Sequence, residues 1–255
     1  MTLNELASYF DSILKPELYS RDPSLNGVQI TNSAPDSKQI TKVAFATDAC
    51  VATAELAVKN GAQLLFTHHG LFWGGCQAVT GTHYQRIKAF LQNDLALYAS
   101  HIPLDAIHEV GNNFGIAGQL GLKDVKPFGF WHGMELGAVG DLEKEVSVEE
   151  LSERLFPDGR KILRIYPFGK QTVKRVAVIS GGAADDADQA YAQGADCFIT
   201  GEVTHQDFHV IKELGMTVIE GGHYQTETFG VQLMAKKLEN DTGLKTIFID
   251  FNTGL

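Results

Sequence analysis

Apolar positions along the chain change period from element to element. Leu3, Leu6, Tyr9, Phe10 and Ile13 recur at helical spacing, and Pro16 ends that pattern. Residues 42–47 form a continuous strand-like run. Val51–Lys59 follows as an alanine-rich helix with Asn60-Gly61 as its stop, and residues 62–66 are a second apolar run. A strand–helix–strand unit of this kind predicts a parallel pair with a right-handed crossover. Ser24 to Ile30 reads as a turn entering a strand, with Asn26-Gly27 marking the turn. Further on, residues 84–92 read as a helix, 94–99 as a strand and Asn112–Leu120 as a helix. Pro103 predicts a rigid loop over residues 100–105. Residues 127–141 read as strands and turns of an edge or linking region. Ser147, with Glu150 three positions on, starts a helix running to about Phe156, and residues 162–166 read as a strand.

The first unit then recurs. Residues 176–180 read as a strand, 185–192 as a helix, Gly194-Ala195 as its stop and Cys197–Thr200 as the next strand. Val43 and Gly61 are 18 residues apart, as are Val176 and Gly194; Val43 and Thr67 are 24 apart, as are Val176 and Thr200. The two halves therefore share a unit at an offset of 133 without a gap, which argues for duplication. A strand over 216–220 exits into His223-Tyr224-Gln225-Thr226-Glu227, spaced like His101-Ile102-Pro103-Leu104-Asp105. A helix over 228–239 and a strand over 246–251 finish the chain. The expected fold is α/β: two intertwined α/β repeats in three α/β/α layers with mostly parallel sheets. The expected division is 1–126, carrying the histidine pair and the His-x-x-x-Asp loop, and 127–255, carrying the His-x-x-x-Glu loop. No low-complexity linker separates the halves, so elements can be exchanged between them.

Composition narrows the function. The net charge is -10 with no dense basic run, which disfavours nucleic acid and anionic membrane surfaces as partners. No apolar run approaches the ~20 residues that cross a bilayer. The N-terminus is acidic and amphipathic, unlike a signal peptide. Cys50, Cys76 and Cys197 are widely spaced and form no CxxC, as expected of reduced thiols in a cytoplasmic protein.

The chemistry gathers where the strands end, since ligands of parallel sheets collect beyond their carboxyl ends. Thr67-His68-His69-Gly70 places two adjacent histidines there. Adjacent side chains on a strand point to opposite sides, so the pair serves one metal only in a turn and two metals on an irregular exit. The candidate ligands are His68, His69, Asp105, His223 and Glu227. Imidazole and carboxylate without thiolate suit zinc, iron, manganese or nickel. Five donors exceed what one catalytic zinc with an open position takes, and they fit two divalent ions bridged by a carboxylate.

Asn26-Gly27-Val28-Gln29, Thr67-His68-His69-Gly70, His101 to Asp105, Thr200-Gly201-Glu202 and Gly222 to Glu227 together resemble, in order and over nearly the whole chain, the Nif-three-like family. Its members are often labelled GTP cyclohydrolase I type 2 homologues. The resemblance implies a compact bacterial form, a dinuclear metal centre bridged by Glu227 and a ring-shaped homohexamer. It implies a small-molecule substrate, nucleotide-like or a cyclic amide, with opening of the guanine ring of GTP as the labelled reaction. The alternative is a non-catalytic metal-binding regulatory or scaffold protein. His101 lies outside the implied ligand set and is expected near the metals as a supporting residue or a general acid/base. Glu202 and His205 are expected to face the same cleft, Gly181-Gly182 to form a tight turn, and His83, His108, His132 and His209 to be structural.

Overall fold

The computed structural model describes residues 1–255. The elements, in chain order, are α1 (Leu3–Leu14), β1 (Gly27–Ile30), β2 (Lys42–Asp48), α2 (Val51–Lys59), β3 (Leu64–His69), α3 (Gly81–Leu91) and β4 (Ala96–Ala99). Then come α4 (Ile102–Ala106), α5 (Asn112–Leu120), β5 (Lys123–Trp131), β6 (Met134–Ser147), α6 (Val148–Leu155), β7 (Arg164–Pro167) and β8 (Thr172–Val178). The last are α7 (Ala187–Ala192), β9 (Cys197–Thr200), α8 (Asp207–Leu214), β10 (Thr217–Glu220), α9 (His223–Thr226), α10 (Thr228–Thr242) and β11 (Lys245–Phe248). They form two compact units: residues 1–104 with 230–251, and residues 105–229 with 252–255. No helix is long and apolar enough to cross a membrane.

The first unit holds a five-stranded sheet in the order β1-β4-β3-β2-β11. All pairings are parallel except β1 with β4. Period-two alternation splits each strand between two cores. Ala44, Ala46, Leu65 and Leu97 pack under the helices α2 and α3 with Ala54, Ala57 and Phe90. On the other face Phe10 of α1 meets Phe45, Phe66 and Tyr98, with ring centroids 4.9 to 6.4 Å apart. The strand β11 comes from the end of the chain, so the second half of the sequence completes the first sheet.

The second unit holds a six-stranded sheet in the order β5-β6-β8-β9-β10-β7. Only β8-β9 and β9-β10 are parallel. The β5–β6 hairpin and the edge strand β7 are antiparallel additions. One face packs on α5 and α6 through Ile116, Leu120, Leu151, Leu155, Val176 and Ile199; the other packs on α7 and α8 through Ala187, Ala190, Phe198 and Ile211.

Register confirms the duplication. Val43 pairs with Leu64 and Phe45 with Phe66; at 133 residues' offset, Val176 pairs with Cys197 and Val178 with Ile199. The third strands follow a shorter connection in the second half, so Thr67 faces Ala99 while Thr200 faces Glu220. His101 therefore corresponds to Gly222 and not to His223: the two His-x-x-x-acid segments share a spacing but are slipped by one residue. Two expected loops are short helices. Residues 102–106 form α4, because proline at a first turn needs no N–H partner, and residues 223–226 form α9.

Candidate metal centre

In the first unit, β2, β3 and β4 end side by side and each end supplies a polar group. β3 remains a strand through His69, which pairs with Asp48 of β2. The Asp48 carboxylate holds His69 Nδ1 at 2.8 Å. His68 is fully buried, with Nδ1 3.1 Å from the Ser100 carbonyl beyond β4. A carbonyl only accepts, so that nitrogen carries the proton and Nε2 keeps its lone pair. His101 Nδ1 lies 2.9 Å from Asp22, whose side chain is fully buried. Asp22 also accepts from the backbone N–H groups of Ser24 and Ile102 and from the Asn26 amide. Burial alone would raise the Asp22 pKa, but His101, Asn26 and Ser24 together hold it below the usual carboxylate value. Asn26 Oδ1 in turn accepts the His101 backbone N–H at 2.8 Å. Asn26 thus belongs to the support of His101 as well as to a turn.

The three imidazoles form one cluster. Ring centroids are 4.6 Å apart for His68 and His69, 5.1 Å for His68 and His101, and 5.7 Å for His69 and His101. Their ligating nitrogens lie within 4.8 Å of one another, a group that can hold a metal ion. Trp73 stands over the cluster, 4.9 Å from His101 and 5.8 Å from His69. Gln29 closes the loop beyond the pair by accepting the Leu71 N–H at 2.6 Å. A Cβ on Gly70 would lie 2.2 Å from the Gln29 amide, so a larger residue there would displace the Gln29 side chain.

In the second unit, His223 opens α9 and Glu227 follows it. His223 Nε2 is 3.1 Å from Glu227 and Nδ1 is 3.2 Å from Glu202. Burial works against the imidazolium, but the two carboxylates outweigh it and push the His223 pKa up to about 9. Gly181 makes room for this pair: at φ +67, a Cβ there would lie 2.3 Å from Glu227 Oε1, and one on Gly182 would lie 2.9 Å from Glu202 Oε1. Asp105 is buried and accepts from Asn112 Nδ2 at 2.9 Å and Ser180 Oγ at 3.0 Å. The Ser180 N–H donates to Asn113 Oδ1 at 2.7 Å, which locks that corner.

The anchors Asp22, Asp48, Asn112, Asn113 and Ser180 carry no sequence pattern and were not expected. His205 is exposed, its ring 6.4 Å from that of His209. His83 packs on Phe72, His108 stacks on Phe114 and His132 sits in the β5–β6 turn.

Two α/β units whose strand ends carry anchored imidazoles and carboxylates define an α/β protein with side-chain groups that could hold a metal ion. The chain belongs to the family described as Duf34/NIF3 (NGG1p interacting factor 3), which matches residues 1–254. A relative from Treponema pallidum named GTP cyclohydrolase 1 type 2 homolog is 40% identical, covering 100% of both chains. One of the same name from Deinococcus radiodurans is 41% identical over 99% of this chain and 94% of its own. The crystal structure of TTHA1606 from Thermus thermophilus superposes with a TM-score of 0.88 at 37% identity, covering 100% of both chains.

Proposed function

We propose that the protein is a dinuclear metal-dependent hydrolase acting on a small nucleotide-like or cyclic amide substrate. The observation that carries this reading is the orientation of the imidazoles: each Nδ1 of His68, His69 and His101 is held by an oxygen, the support that fixes ring and tautomer in metal-ligating histidines. In the proposed centre His68, His69, Asp105, His223 and Glu227 are the ligands and Glu227 is shared between two divalent ions.

Two such ions would supply Lewis acidity toward a carbonyl or phosphoryl oxygen and acidify water. The chain's own groups do the positioning. Asp48, Asp22 and the Ser100 carbonyl fix the tautomer of each imidazole, and Asn112 and Ser180 orient Asp105. His101 stands beside the histidine pair as a supporting residue. The relatives' name makes GTP the first substrate to try. The assembly is proposed to be a homohexamer, read by light scattering.

The test is turnover by metal-loaded protein on GTP and a panel of nucleotides, phosphoesters and cyclic amides, with His69→Ala as control. Formate release from GTP that His69→Ala abolishes is the expected result. Turnover of another substrate without formate from GTP removes the GTP assignment. No His69-dependent reaction anywhere in the panel removes the hydrolase reading.

A further inference from the structure

We propose that Trp73 is a specificity-determining residue of this site: its indole is a stacking platform for a planar nitrogen heterocycle, so the substrate carries such a ring and is not a ring-free phosphoester. This rests on the hydrolase reading above and goes beyond it by assigning the residue that reads the ring.

Trp73 is placed by the first unit alone. Its backbone bridges Ser24 in an antiparallel pair, and the Leu25 N–H donates to the Phe72 carbonyl at 3.0 Å. The indole Nε1–H donates to the Gly70 carbonyl at 3.1 Å, which fixes the ring. The neighbouring apolar side chains turn inward: Leu71 is buried, and Phe72 packs against the core that lies under α2 and α3. Trp73 instead keeps 42% of its surface exposed. Tryptophan used for packing buries its large ring and finds a partner for its N–H. Here the N–H is bonded and the ring stays open.

That open ring adjoins the imidazoles. Its centroid lies 4.9 Å from that of His101 at an interplanar angle of 76°, and 5.8 Å from that of His69 at 46°. Neither imidazole is therefore stacked parallel on the indole. A ligand ring stacked there, with centroids about 4.5–7 Å apart, comes to lie beside His69 and His101 and presents itself or its first substituent to them. Stacking is indifferent to the pattern of hydrogen-bond donors and acceptors, because every base has a π-face. Trp73 thus selects a ring over no ring and does not choose among bases.

Binding to zinc-loaded full-length protein tests this without turnover. The chain has two tryptophans, so in Trp131→Phe the indole emission comes from Trp73 alone. GMP, guanosine and UMP should quench that emission, and ribose 5-phosphate should not. By calorimetry GMP should bind more tightly than ribose 5-phosphate. Trp73→Ala should cut that preference roughly 5- to 150-fold, and Trp73→Phe should keep most of it. Zinc content, thermal melting and light scattering check metal, fold and assembly. If Trp73→Ala fails to fold, Trp73→Leu, which keeps apolar bulk without a π-face, decides together with the quenching. Absence of quenching, equal binding of GMP and ribose 5-phosphate, or an unchanged preference in the folded variants overturns the proposal. A changed assembly mass in Trp73→Ala with the preference intact makes Trp73 an interface residue and also overturns it. The hydrolase reading fails separately. Trp73-dependent ring binding without any His69-dependent turnover supports the platform and removes that reading, whereas His69-dependent turnover without ring preference does the reverse.

Discussion

Gly181→Ala isolates the approach of Glu227 to the backbone. The added methyl meets two obstacles. The first is conformational: Gly181 has φ +67, and an L-residue held in the left-handed region costs roughly 1–2 kcal/mol. The second is the carboxylate, whose Oε1 would lie 2.3 Å from the new Cβ. Gly194→Ala separates them, because Gly194 has φ +71 with nothing within 4 Å of its added Cβ. Gly194→Ala should lower Tm by roughly 2–8 °C, the shift expected of 1–2 kcal/mol in a chain of this length. Gly181→Ala should lower it further and also move Glu227 away from His223, now 3.1 Å distant. The His223 pKa, held up at about 9 in part by Glu227, should then fall toward 6.5 in an NMR titration of the metal-free protein. Equal melting of the two variants together with an unmoved His223 titration would refute the close-approach argument.

Three further outcomes follow from the same contacts. The folded His223 pKa of about 9 lies above the ordinary histidine value of 6.5, so its contribution to metal-free stability is full below 6.5 and lost as pH rises through 9. Melting curves from pH 6 to 10 should show that loss, and Glu227→Gln should flatten it. Asp186 is pushed up to about 6 by burial and by its neighbours Asp185 and Asp188, so its charge opposes folding above that pH. Asp186→Asn should raise stability at pH 7 by about 1 kcal/mol in denaturant titration, after discounting for its partial exposure, with no gain at pH 4. Buried Asn113 bonds the Leu136 carbonyl and the Ser180 N–H. Asn113→Ala should cost about 2–4 kcal/mol in the same assay and loosen Asp105 through Ser180.

The strands and helices of both halves were legible because apolar runs bounded by glycine stops encode them directly: Val51–Lys59, Asn112–Leu120 and Cys197–Thr200 fold with the expected bounds. The 133-residue repeat was legible for the same reason. Pro103 misled because proline breaks a helix interior but suits a first turn, and five residues are too few to show a helical period. The equal spacing of the two His-x-x-x-acid segments suggested equivalence, yet backbone pairing, not spacing, sets correspondence, and it slips by one residue. The supports of the histidines were hidden for a simpler reason. Asp22 is 79 residues from His101, and Asp48 is 21 from His69; nothing local marks either carboxylate until the strands align. The β5–β6 hairpin was visible only as glycine-rich strand and turn, and its long antiparallel register became clear in the sheet.

A crystal structure of the fully metal-loaded protein, with anomalous scattering at the metal edge, tests the central claim most directly. The account predicts two ions with Glu227 between them and His68, His69, Asp105 and His223 completing their shells. Asp105 lying more than ~3 Å from both ions, or Glu227 lying more than ~3 Å from either of them, would contradict it.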